Sequence, residues 1–228
     1  MLSQVKAITA CLAARSYVYK LLQRLFGDEP NIEILNMILG RHTENVIEIL
    51  FDKEQTFDII TVLSNFKETL YANPESVLEY IKDEYIRLMI GPGRLLAPPW
   101  ESVYLQKDDT LFNGSVIELR QIYMKYNLRA KNSPREADDH IALGLDFMSI
   151  LSGLLLDCFQ QQHMKEARRL FIDQRYFLEK HLFSWIPLFA SRLQTADECL
   201  FYPKLARLTC RFLEADTAIM DELAALVL

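Results

Sequence analysis

Ser102, Asp139 and His140 have the residue types of a nucleophile, an acid and a base. A serine hydrolase sets its nucleophile on a strained elbow beside an oxyanion hole, usually marked GxSxG, and Glu101-Ser102-Val103 has no flanking glycine. Asp139 and His140 are chain neighbours. On the helix expected there their side chains diverge by about 100°, too far for the usual His–Asp hydrogen bond. A metal-dependent hydrolase is the second chemistry, since Glu136, Asp139 and His140 share one helical face by i, i+3, i+4 spacing while Asp138 points away. Such a trio needs support from another helix, and His42, His163 and His181 bring no HExxH or second ExxH pattern. Acidic residues in a first helical turn also have a purely structural use, offsetting the positive dipole end by about 0.3–1 kcal/mol each. Gly91-Pro92-Gly93 lacks the GxxxxGK[ST] phosphate loop, and Pro92 removes an N–H that a phosphate would need. Binding without turnover is the stronger reading, with no metal or cofactor of the protein's own.

The binding candidate is GPGRLLAPPWESVY, Gly91 to Tyr104. Its prolines fix their own torsions and restrict the residues before them, which suits a stiff connection between helices. A plain connection has no need of Trp100 and Tyr104. Those rings, with Leu95, Leu96 and Pro99, form a rigid apolar surface, and the acidic helix start at Glu136 to His140 supplies carboxylates beside it. Such a surface suits a peptide that is both hydrophobic and basic.

The elements that must present these residues are helical. Apolar positions recur every three or four residues over Ser3 to Phe26, closed by Gly27, and over Ile32 to Phe51, Thr56 to Tyr71 and Ser76 to Ile90. Four helices are therefore expected in the first ninety residues, with Asn73-Pro74 and Gly91-Pro92 as breakers. Ser115 to Tyr126 continues the pattern. Ser133-Pro134-Arg135-Glu136 reads as a capping box with proline at the first helical position, opening a helix to about Gln161. Further helices are expected over Lys165 to Glu179, Leu182 to Leu193, Ala196 to Glu214 and Thr217 to Val227, with Pro187 ending, kinking or starting a turn. The polar connection within residues 127–134 is the candidate hinge of an otherwise single domain, 1–228. Exchange of halves across it would convert the expected monomer into a swapped dimer.

Composition agrees. Half the residues are hydrophobic, enough for one sizeable core, and 7 glycines and 8 prolines are too few for a strand-and-turn fold, so the expectation is all-α. A formal charge of −6 disfavours nucleic acid and anionic membranes and favours a cationic partner. Cys11, Cys158, Cys199 and Cys210 form no CxxC pair and read as core residues in a reducing compartment. The N-terminus is interrupted by Gln4, Lys6, Arg15 and Lys20, unlike a signal peptide, and no uninterrupted apolar run approaches about eighteen residues. A soluble cytoplasmic protein without a membrane span is expected. A helical scaffold in which the loop is only structural remains the other non-catalytic reading.

The run Asp83 to Pro92, DEYIRLMIGP, with Ala97 to Tyr104, APPWESVY, and Glu136 to Ile141, EADDHI, resembles the TorD/DmsD family of redox-enzyme maturation chaperones. Arg15 to Pro30 and Phe177 to Leu193 are similar to that family's opening helix and late helix pair. Met89 stands where the family usually has phenylalanine, and Ala137 where its E-P-x-D-H signature has proline; Pro134 is placed to start the helix instead. The resemblance implies a TorD-like all-helical domain of about ten helices with no catalysis of its own. It implies recognition of a twin-arginine signal peptide through the loop and the Asp-His helix start. It also implies a client, an apo-molybdoenzyme held until its molybdopterin cofactor is inserted. On this reading Glu136, Asp138 and Asp139 accept from arginine guanidinium groups, and Trp100, Tyr104, Tyr85 and Leu88 cover an apolar segment. Gly91, Pro92, Pro98, Pro99, Ser102 and His140 complete the site. Tyr85 and Leu88 are equally suited to plain core packing.

Overall fold

The computed structural model describes residues 2–91, 93–105, 114–129 and 137–227. Among them are eleven α-helices, two π-helical segments and no strand. In the first part, α1 (Leu2–Gly27) is followed by α2 (Ile32–Ile38), α3 (Arg41–Leu50), α4 (Lys53–Ala72) and α5 (Pro74–Tyr85), which runs into the π-helical Ile86–Ile90. Two short helices come next, α6 (Ser102–Leu105) and α7 (Gly114–Lys125). The second part holds α8 (Ile141–Gln160), α9 (Met164–Phe177) with the π-helical Leu178–Phe183, α10 (Ile186–Leu193) and α11 (Tyr202–Val227). The expected all-α class is therefore the observed one.

Local chemistry explains most boundaries. The Asn31 side chain accepts from the Ile34 N–H at 3.0 Å to start α2, and Asp52 accepts from Gln55 at 2.8 Å to start α4. Pro74 and Pro187 both sit in first turns, where a missing N–H costs nothing. Four expectations are corrected. Ile32 to Phe51 is two helices, because Leu39-Gly40 leaves helical geometry. Ala196 to Phe201 is not helical, and the last helix runs unbroken through Asp216, whose side chain is locked inside the core. Ile86–Ile90 is π-helical where plain helix was expected, and the π-helical Leu178–Phe183 runs through Lys180-His181, where a break between two helices was expected. Finally, α8 starts at Ile141, and Ala137 to His140 lie outside any helix. The Ser133–Glu136 capping box, most of the candidate hinge and Pro92 lie outside the described residues.

The core is organised on α1 and α8, the most extensively packed pair. They run antiparallel. Ser16 and Ser149 each donate a hydroxyl to the other's carbonyl at 3.2 Å. Further along, Lys20 meets Asp146, and Gly27 lies against Ala142 so closely that a Cβ on Gly27 would come within 2.8 Å of the alanine methyl. The 20-residue α8 has a span's length and a mean hydropathy of 1.7, but it is a core helix: 56% of its apolar window is buried, and α9 covers it on another side.

Two buried polar clusters tie distant segments to this pair. Arg15, fully buried on α1, donates through Nε and Nη2 to the Asp216 carboxylate of α11, which also accepts from the Tyr19 hydroxyl at 2.6 Å. Gln174 of α9 accepts from Arg15 Nη1 at 3.2 Å and from Ser152 at 3.1 Å. Burial pulls the Arg15 pKa down, but Asp216 outweighs it and holds the guanidinium more firmly charged than usual. Glu84 of α5, also buried, accepts from the N–H groups of Leu200, Phe201 and Tyr202, capping α11 from another helix. The four cysteines are half-buried free thiols, and burial pushes Cys210 up to about 11.

Candidate functional site

The proline-rich loop meets the start of α8 through a single antiparallel bridge, Trp100 to His140. The Ile141 N–H donates to the Pro99 carbonyl at 2.9 Å, and the Glu101 N–H to the Asp139 carbonyl at 3.1 Å. The Asp139 carboxylate accepts from the Ser102 N–H at 3.0 Å, so the aspartate caps α6 from across the bridge. Asp138 turns the other way, accepting from Arg120 Nε at 2.7 Å, while its carbonyl accepts from the Tyr123 hydroxyl at 3.1 Å. His140 is the N-cap of α8: its Nδ1 accepts from the Ala142 N–H at 3.1 Å, which leaves that nitrogen unprotonated.

This arrangement replaces the helical face expected of Glu136, Asp139 and His140. Asp139 and His140 lie before the helix and have inward-facing hydrogen bonds, so the one-face geometry that a metal-dependent hydrolase would use is not formed by them; Glu136 lies outside the described residues. Among the described residues no group of three or more His, Cys, Asp and Glu side chains is placed to hold a metal ion.

Beside the bridge lies a groove of about 710 Å³ between the C-terminal end of α1, the α5 end and the start of α8. Tyr85, Met89, Trp100, Tyr123 and Phe147 give it an aromatic and apolar wall. His140, Asp28, Asp146 and Arg129 are polar groups on its lining. The Trp100 indole meets the His140 ring edge-on at 5.7 Å.

Of the residues singled out in the sequence, Tyr85, Trp100 and His140 therefore share one groove. Others are placed elsewhere. Leu88 is 1% exposed in the core. Tyr104 stacks on Trp185 at 5.4 Å under the Arg192 guanidinium; burial raises its phenol to about 12 against the opposing pull of Arg192. Asp138 and Asp139 are each 4% exposed. Gly91 takes φ +60, where a Cβ would stand 2.7 Å from the Leu95 side chain, so glycine is needed to close the π-helical turn. Pro98 is half-buried, Pro99 buried, and Ser102 serves through its backbone.

Sequence reasoning missed Asp28, Asp146 and Glu101. Asp146 had a signal: it is the sole charge between Ile141 and Leu156. Asp28 looked like an ordinary turn residue after Gly27. Glu101 is a buried carboxylate with both oxygens 3.2 Å from His181 Nδ1. Burial raises its pKa, and the hydrogen bond and charge of His181 pull it back only in part.

A family model described as nitrate reductase delta subunit matches residues 58–191, more than half of the chain. A chaperone protein TorD of Vibrio vulnificus is 27% identical over 95% of this chain and 98% of its own length. A chaperone protein TorD of Vibrio cholerae is 26% identical over 92% of this chain and 93% of its own. Among solved structures, a redox enzyme maturation protein of Archaeoglobus fulgidus is 20% identical, with a TM-score of 0.46 over 88% of this chain and 93% of that one.

Proposed function

This chain belongs to the TorD family of redox-enzyme maturation chaperones, and from that premise we propose that it binds the twin-arginine signal peptide of an apo-molybdoenzyme in the groove beside Trp100 and His140. It holds this client in the cytoplasm until the molybdopterin cofactor is inserted, and it turns nothing over. The observation that carries the reading is one groove with both kinds of lining that such a peptide needs. Trp100 and Ile90 cover an apolar segment, with the buried Tyr85, Met89 and Phe147 packed behind them, and its burial holds the complex at roughly 25 cal/mol per Å². Asp28 and Asp146 face the same space and accept guanidinium groups in charge-assisted pairs. Asp138 and Asp139 act behind this surface, fixing the loop and the start of α8, while His140 sits edge-on against Trp100 in the groove lining. The net charge of −6 speeds the encounter with a cationic peptide.

Calorimetry with a peptide carrying two adjacent arginines and an apolar segment, beside the same peptide with both arginines changed to lysine, tests this. The arginine peptide binds more tightly, since only guanidinium offers a bidentate fork. Trp100→Ala weakens binding by about tenfold to a hundredfold, as a central aromatic anchor does, with a smaller proportional loss of stability. Absence of heat with either peptide overturns the proposal.

A further inference from the structure

The two carboxylates among the described residues of the groove lining already have cations, and both come from α1. Lys20 Nζ lies 2.8 Å from Asp146 Oδ1, and Arg24 Nε lies 3.8 Å from Asp28 Oδ2. Lys20 and Arg24 are one helical turn apart on α1. Their partners are similarly spaced: Gly27 abuts Ala142, Asp28 follows Gly27, and Asp146 follows Ala142 by four residues of α8, about 6 Å along its axis. The two pairs thus form a short ladder along one side of the groove. The Lys20 pair is exposed, with side chains 55% and 36% accessible; in the looser Arg24 pair the arginine is partly buried at 28%, with Nη1 3.3 Å from Met37 Sδ, and Asp28 is 57% accessible. Pairs of this kind contribute little and are readily exchanged.

We infer that Lys20 and Arg24 are built-in competitors: they occupy the groove carboxylates in the free protein and are displaced by the cations of an incoming basic, apolar peptide. This rests on the peptide-binding reading above and adds the step by which the site is loaded. In the free chain the acidic groove is neutralised by its own side chains, which discourages adventitious cations. A single ligand charge gains little, because it replaces an existing pair. A ligand bringing two suitably spaced cations together with an apolar segment displaces both and is held by the aromatic wall. Exchange of one cation for another changes the number of pairs very little, so binding depends only weakly on salt.

The test is calorimetric titration of the full chain with the two-arginine peptide at two salt concentrations. The variants are Lys20→Gln, Lys20→Gln/Arg24→Gln and Lys82→Gln, the last removing a cation whose partner Glu29, 3.1 Å away, does not line the groove. The double variant is expected to bind about twofold to tenfold more tightly at low salt, by the size of two surface pairs, and to show the steeper salt dependence. Lys20→Gln alone gives a smaller gain in the same direction and decides the matter should the double variant fold poorly. Lys82→Gln, with the same loss of charge as Lys20→Gln, gives a smaller gain at low salt and leaves affinity within about 1.5-fold at the higher salt, where a charge outside the groove is screened. If wild type binds but loss of Lys20 and Arg24 gives no gain, or Lys82→Gln gives an equal one, exchange is refuted while the peptide reading stands. If neither wild type nor variants bind, both fall.

Discussion

Arg15 and Lys20 lie on the same helix and each meets an aspartate from a distant helix, yet the two pairs do opposite work. Arg15 and Asp216 have no exposed surface; two hydrogen bonds join them, and Tyr19 and Gln174 satisfy more of their remaining polar capacity. Lys20 and Asp146 are joined by one contact at the edge of a groove. A buried ion pair is costly to break because its survivor keeps a charge that water cannot reach; an exposed pair leaves two groups that water accepts. The first therefore fixes how α1, α9 and α11 assemble, and the second is free to change partners. Glu84 is an intermediate case, a buried carboxylate held by backbone N–H groups instead of a cation.

The largest effect expected from this contrast is at Arg15. Arg15→Ala strands Asp216 and lowers stability by about 3–5 kcal/mol, read by urea denaturation, whereas Arg15→Met/Asp216→Leu recovers more than half of the loss. A mild Arg15→Ala phenotype would falsify the distinction between locked and exchangeable pairs. Glu84→Ala comes next, leaving the first N–H groups of α11 without their acceptor, for a loss of about 2–4 kcal/mol. Protection from hydrogen exchange should fall first at residues 200–202, and uniform protection there would show that water replaces the carboxylate.

A smaller, pH-dependent effect belongs to Glu101. Its carboxyl is raised in the folded state above the ordinary 4.5, so its contribution is fully present below about 4.5 and is lost as pH rises through the folded value. Melting temperatures of wild type and Glu101→Gln should therefore diverge in favour of the glutamine variant as pH increases from about 4. Parallel curves would mean that His181 compensates burial completely. The smallest effect is at Asp146: Asp146→Asn should change stability by less than about 0.5 kcal/mol while weakening the arginine peptide. Equal losses of folding and binding would make it a structural residue like Asp216.

Much of the helical frame was legible in the residues. Three-and-four periodicity located most helical segments, and Asn73-Pro74 marks the break between α4 and α5 through chemistry that needs no distant partner. The aromatic loop was recognisable by composition, and Trp100 does line the groove. Its companion Tyr104 does not, because Trp185, 81 positions along the chain, offers a stacking face on the other side. The Asp138-Asp139 pair looked like solvent-facing carboxylates and is turned inward by Arg120 and the Ser102 N–H.

The sequence by itself thus determined the class of fold, most of the helical segments and the presence of an aromatic, proline-stiffened loop, because periodicity, caps and restricted torsions act within a few residues. The tertiary structure decided which carboxylates are locked and which face the groove. A carboxylate's role depends on the donors around it and on whether water can reach it, and for Asp28, Asp146, Asp139 and Asp216 both are set by how α1, α8, α11 and the loop pack together.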